Sequence, residues 1–147
     1  RWRLLVFLVI VGGIFGYGFY DGVVTSEPFD ADAAQTAAIE TVNDARAAEG
    51  MAPLPADDEL TTYATEWSDE MATTGFEHGE PMCSPGGENI AYKEVGAQSS
   101  AEIGAAIGQQ WLNSPQHRKN IMDSRWDRQG IGIVNRDGEI YATQQFC

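Results

Sequence analysis

The sequence predicts an α+β protein, because helical periodicity fills the middle of the chain and a β-hairpin closes it. Three segments, residues 33–49, 55–75 and 99–111, place apolar residues three or four positions apart, which is the spacing of one buried helix face. Near the C-terminus, two apolar strands flank an Asp-Gly pair that favours a hairpin turn. Helices first and a hairpin last argue against a wound parallel sheet.

The N-terminal segment, residues 1–24, predicts a membrane helix. Arg1 and Arg3 precede an uncharged apolar run over residues 4–20, which is just long enough to cross the hydrocarbon core of a bilayer. We expect a single-pass signal anchor in the cell membrane, with the two arginines cytoplasmic and the remaining chain outside. A cleaved signal, which would release a secreted protein, is the alternative, although the segment has no convincing A-x-A site.

The rest of the chain divides into a linker, residues 25–34, and one domain, residues 35–147. The first helix of this domain, 33–49, precedes Gly50 as a C-terminal stop, and its predicted buried stripe is Ile39, Val42 and Ala45. Pro55 and the acids at 57–59 open the second helix, where negative charge suits the helix dipole. Its predicted stripe is Leu60, Ala64, Trp67 and Met71.

The loop over residues 75–87 is rich in Gly and Pro and leads into a short strand at 88–92. Ser99 and Glu102 have the spacing of a capping box for a third helix, whose stripe is Ile103, Ile107 and Trp111. Ser114 is a predicted N-cap for a short fourth helix that has Pro115 in its first turn and carries His117. The hairpin strands are predicted at 130–134 and 139–146.

The charge of the chain excludes several classes of partner. Asp and Glu number 22 against 9 Lys and Arg, and the formal net charge is −13. Such a field repels nucleic acids and anionic lipid head groups. Only Lys93 and Lys119 are lysines, so we interpret the acidic surface as an adaptation to high salt, which screens the self-repulsion. The source is therefore predicted to be halophilic.

The two cysteines, Cys83 and Cys147, both lie in the domain predicted to be outside the membrane. An even number of cysteines in an oxidising compartment favours a disulfide. Two free thiols are the alternative, since the sequence does not show whether the two residues are close.

The polar candidates for a site are His78, Glu80, Glu88, His117, Arg118 and Asn120, with Ser84 and Ser114 as hydroxyls. Two histidines and a carboxylate from separate segments could supply three ligands to a zinc ion. No H-E-x-x-H helix fixes that geometry. A Ser-His-acid hydrolase is a second possibility, but the sequence has no G-x-S-x-G element to position a nucleophile. The plainest interpretation is that His117 is a polar residue in the first turn of a surface helix.

The order of several short motifs adds information that the single residues do not carry. NDARAAEG (43–50) is followed by GENIA (87–91), WLNSPQHRKNIM (111–122), GIGI (130–133) and YATQ (141–144). This series resembles the CAP superfamily of cysteine-rich secretory, antigen 5 and pathogenesis-related proteins. It is most similar to the short SCP-domain proteins of bacteria and archaea, and it covers residues 35–146.

The resemblance implies a three-layer α-β-α sandwich around a small antiparallel sheet, with an open cleft in which histidines and acids converge. His78 matches the first family histidine, Glu88 the glutamate of G-E-N, and His117 the histidine of S-P-x-H-R. The second glutamate of the animal and plant members is missing, because Leu112, Asn113 and Ser114 follow the tryptophan here.

We therefore expect a membrane-anchored, extracytoplasmic CAP-domain protein that binds a divalent cation, such as Zn²⁺, or a small ligand between His78, Glu88 and His117. A lipid or another surface component is a further possible partner. A metal-dependent hydrolase or peptidase that uses the same cleft is the first alternative. A purely structural surface domain is the second, because a shared fold does not determine an activity.

Overall fold

The computed structural model describes residues 27–147, so the predicted membrane or signal segment, residues 1–24, lies outside the described part of the chain. Residues 27–147 form four helices and three strands. They are α1 (Ala31–Ala48), α2 (Asp58–Thr74), β1 (Gly87–Glu94), α3 (Ser100–Asn113), α4 (Pro115–Ile121), β2 (Gln129–Arg136) and β3 (Glu139–Phe146). No helix within this part of the chain is both long enough and apolar enough to cross a membrane.

The sheet has the strand order β1-β3-β2, and both pairings are antiparallel. The C-terminal strand β3 is therefore the central one. Asp137 and Gly138 connect β2 to β3 with φ angles of 54° and 90°, which is the positive-φ pair that a tight hairpin turn requires. The predicted hairpin and the predicted strand at 88–92 are confirmed.

Helices cover both faces of the sheet. On one face, α2 lies against β2 and β3, and the Ser68 hydroxyl donates to Thr143 Oγ1 at 2.8 Å. Gly132 is needed there because a Cβ atom would collide with the α2 backbone at Thr65. On the opposite face, Ile131, Ile133, Ile140 and Ala142 form a core with residues of α1 and α3. The result is an α+β fold with the layered arrangement that the resemblance implied.

The first helix buries only Val42 of its predicted stripe. Ile39 and Ala45 are only partly buried, whereas Ala34, Ala38, Val42 and Arg46 are buried. The reason is the close approach of α1 to α3, which small residues permit: a Cβ at Gly104 would collide with the carbonyl of Ala34. The helix also begins at Ala31, within the predicted linker, because the Asp30 carboxylate accepts from the Ala33 N–H at 3.0 Å.

The second helix differs from prediction at one position, where Ser68 is buried in place of Trp67. Trp67 lies toward the 75–87 loop, and its Nε1 donates to the Glu77 carbonyl at 3.2 Å. The stripe of the third helix is confirmed, since Ile103, Ile107 and Trp111 are buried, and the predicted capping box of Ser99 and Glu102 is present.

We expect Gly104→Ala to destabilise the protein by about 1–3 kcal/mol, because the added methyl group forces α1 and α3 apart. Gly96→Ala is the matched control, since a Cβ at Gly96 meets no atom within 4 Å. Urea unfolding of both variants measures the difference. Equal midpoints for the two would contradict the close helix contact.

Candidate functional site

The 75–87 loop lies beside the start of β1 and is held there by several contacts. Cys83 and Cys147 form a disulfide, which confirms the predicted pairing. The Met82 N–H donates to Gln145 Oε1 at 3.1 Å, and the Tyr63 hydroxyl donates to the Glu80 carbonyl at 2.9 Å. These contacts position the loop residue His78 next to the sheet.

His78 and Glu88 form a direct pair. Nδ1 of His78 lies 2.7 Å from Oε1 of Glu88. The His78 side chain is 59% exposed, whereas that of Glu88 is 4% exposed. Because an ionised carboxylate only accepts hydrogen bonds, Nδ1 carries the proton, and Nε2 of a neutral His78 is left with a free lone pair.

Both oxygens of Glu88 are occupied by donors. Oε1 also accepts from the Gly79 N–H at 2.9 Å, and Oε2 accepts from Gln145 Nε2 at 2.7 Å. A buried carboxylate needs such donors, because burial without them costs several kcal/mol. In this arrangement Glu88 orients His78, and its own lone pairs are largely used.

His117 projects from the first turn of α4 and is half-buried. Its Nδ1 is the one fully buried side-chain nitrogen or oxygen without a hydrogen-bond partner among residues 27–147. Burial lowers the pKa of His117 below its usual value of 6.5, and the charge of His78 lowers it further. The two imidazoles are therefore electrostatic neighbours, and His117 favours its neutral form.

The predicted capping role of Ser114 is wrong. Ser114 occupies the N-cap position of α4, but its side chain makes no capping hydrogen bond. Contacts from β1 hold α4 instead: Asn89 Nδ2 donates to the His117 carbonyl at 3.2 Å, and Asn120 Nδ2 donates to the Glu88 carbonyl at 3.1 Å. His117 is thus positioned by long-range contacts.

Those contacts end a chain of side-chain amides that the sequence interpretation missed; its three strand members are buried and its two ends are partly buried. Gln129 donates to Asn43 Oδ1 (3.3 Å), Gln144 to Gln129 (2.8 Å), Asn89 to Gln144 (3.0 Å) and Asn120 to Asn89 (2.9 Å). The chain runs from α1 across all three strands to α4. The sequence feature that could have revealed this chain is the presence of amide residues within otherwise apolar strand segments.

The other polar candidates do not join His78 and His117. The side chain of Arg118 pairs with Glu49 at 2.9 Å on the surface. Among the described residues, neither Ser84 nor Ser114 is hydrogen-bonded to a histidine, so the Ser-His arrangement of a hydrolase is not formed there. Residues 27–147 also contain no group of three or more His, Cys, Asp or Glu side chains placed to hold a metal ion.

Comparison with known proteins identifies the family. Residues 39–146 match the model of the CAP family, described as the cysteine-rich secretory protein family. The chain belongs to the CAP family. It is also 31% identical over 130 residues to the uncharacterized protein YkwD of Bacillus subtilis. That alignment takes in 83% of this chain and 50% of YkwD, so the chain spans about half the length of this relative.

Solved structures share the fold of this CAP domain. An extracellular protein with an SCP domain from Bacillus anthracis superposes with a TM-score of 0.59 at 24% identity, covering 79% of this chain and 40% of that one. The structure of NaASP2 with Zn²⁺ superposes with a TM-score of 0.68 at 13% identity, covering 82% of each chain. At these identities the likeness shows the fold alone.

We expect the imidazole of His117 to titrate below pH 6.5 in metal-free protein, because burial disfavours its charged form. The free energy of unfolding should then decrease as the pH falls below about 6.5, since the unfolded chain binds a proton at His117 more readily than the folded protein. NMR titration measures the pKa, and His78→Gln assigns the two signals. His117→Gln should remove this part of the pH dependence; an unchanged dependence would contradict it.

Proposed function

We propose that this protein is a membrane-anchored, extracytoplasmic CAP-domain protein whose cleft binds a divalent cation or a small ligand between His78 and His117. The observation that carries the proposal is the buried Nδ1 of His117, which has no hydrogen-bond partner within residues 27–147. A buried imidazole nitrogen without a partner is costly unless a ligand completes its interactions.

The donor set suits a cation such as Zn²⁺. Neutral imidazole nitrogens are common zinc ligands, and the lowered pKa keeps His117 neutral near pH 7. Glu88 fixes the tautomer of His78 through Nδ1, as acidic partners of metal-binding histidines commonly do. His78 and His117 would hold the ion, and water or a bound ligand would supply the remaining positions. The structure of NaASP2 with Zn²⁺ supports this choice of cation.

Three observations support the location outside the membrane. The apolar segment 4–20 follows two arginines, and the domain contains a disulfide, which persists in oxidising compartments. The Bacillus anthracis protein with the same fold is extracellular.

A net charge of −13 is consistent with a protein that works in high salt. A hydrolase is less well supported, because Glu88 already has a donor on each oxygen.

Calorimetric titration of the full chain in detergent with zinc chloride, in molar potassium chloride, tests the proposal. We expect saturable binding of one ion, which His78→Ala/His117→Ala abolishes. Glu88→Gln should weaken binding about tenfold or more, because the negative charge beside His78 is lost and one of the two acceptor oxygens becomes a donor.

Arg118→Ala is the matched control, because Arg118 follows His117 on α4 and its side chain is hydrogen-bonded only to the surface residue Glu49 within residues 27–147. It should bind zinc as the unaltered protein does. Binding that persists in the double histidine variant would place the ion elsewhere. Absence of binding in the unaltered protein would exclude zinc as the ligand, and a small organic ligand would then be tested.

A further inference from the structure

An open cavity lies away from the two histidines. A cavity of about 500 Å³ borders the C-terminal end of α1, the 50–54 segment and the residues that follow α4. Its lining includes Arg46, Met51, Leu54, Trp126 and Asp127, and none of the three site residues predicted from the sequence. The cavity is therefore independent of the proposed cation site.

Arg46 is the unusual residue of this lining, because it is a cation that is only 3% exposed. Its Nε donates to the Ala52 carbonyl at 2.9 Å. Its Nη1 donates to the carbonyls of Ile121 and Asp123 at 2.6 and 3.2 Å. These bonds occupy three of the five N–H donors of the guanidinium. The two N–H groups of Nη2 make no hydrogen bond to any residue from 27 to 147.

Nη2 has no hydrogen-bond partner in the described part of the chain and is nevertheless not fully buried. The small exposed surface of Arg46 therefore includes this nitrogen. The surface that Arg46 presents is part of the cavity wall. The buried guanidinium thus has a free donor group next to an open space that is large enough for a small ligand.

The charge of Arg46 also lacks a direct counter-ion. Within the described residues, no carboxylate lies within 4.0 Å of its guanidinium. Asp123 attracts Arg46, but both oxygens of that carboxylate are hydrogen-bonded to Arg125. Buried charges in proteins are normally paired with an opposite charge. The three carbonyl groups that accept from Arg46 are neutral and do not replace an anion.

We propose that this cavity binds a carboxylate that is attached to a small apolar group. Nη2 of Arg46 donates to the carboxylate, and an ion pair of this kind is strongest in a partly buried setting. Met51 supplies apolar surface for the substituent, together with the small exposed parts of Leu54 and Trp126. Asp127 lies in the same wall and would repel a second negative charge, so a monocarboxylate fits best. A free acid and the C-terminus of a peptide share this chemistry.

Titration of the ¹⁵N-labelled full chain in detergent with N-acetylleucine tests the proposal by NMR. The Nε–H signal of Arg46 and the indole signal of Trp126 should shift and saturate. N-acetylleucinamide, which differs only in lacking the charge, should produce no saturable shift. A tetrapeptide that ends in leucine distinguishes the two sources: binding tighter than that of N-acetylleucine indicates a chain terminus, and weaker binding a free acid.

Two variants separate the site from general effects on folding. Arg46→Lys keeps the charge but loses the planar pair of donors, and it should weaken binding by about tenfold. Ala52→Phe fills the cavity from its edge and leaves the Ala52 carbonyl in place, so it should abolish binding in a folded protein. Equal shifts with the acid and the amide, no saturation with the acid, or unchanged binding in Ala52→Phe would each overturn the proposal.

Discussion

The chain of hydrogen-bonded amides from Asn43 to Asn120, whose three strand members are buried, is the constraint on which the rest of the structure depends. It crosses α1, β2, β3, β1 and α4 in that order, and each step joins two different elements. An amide left without its partner in this interior would cost about 1–3 kcal/mol. A slip of one residue in any strand would also move its amide to the other face of the sheet. The chain therefore specifies one register.

This constraint acts directly on the candidate site. Asn120 donates to the Glu88 carbonyl and to the Asn89 side chain, while Asn89 donates to the His117 carbonyl. The strand that carries the buried carboxylate and the helix that carries the second histidine are therefore held as one unit. His78 comes from a loop, and the Cys83–Cys147 disulfide holds that loop against the end of β3.

Surface charge and buried charge have different roles in this molecule. The excess of acids, 22 against 9 bases, is a property of the whole chain. Glu88 and Arg46 are single ions that are buried away from solvent. Glu88 has donors on both oxygens and orients a histidine, whereas Arg46 retains a free nitrogen beside a cavity. Glu88, whose hydrogen-bonding capacity is largely used, is therefore an orienting group. Arg46, which has N–H donors left over, is a candidate binding group.

The sequence by itself determined the features that depend on neighbours along the chain: the α+β class, the Ser99–Glu102 capping box, the Asp137–Gly138 turn and the hairpin that β2 and β3 form. Motif order also placed His78 and Glu88 side by side, through the family resemblance. Tertiary structure decided the burial of Arg46 and Ser68, the only partial burial of Trp67 and the positioning of α4 without a Ser114 cap. Each of these depends on a partner distant in sequence, such as Thr143 for Ser68 and Asn89 for His117. Helical periodicity describes the spacing of residues on one helix, but only packing determines which face meets a partner and how closely.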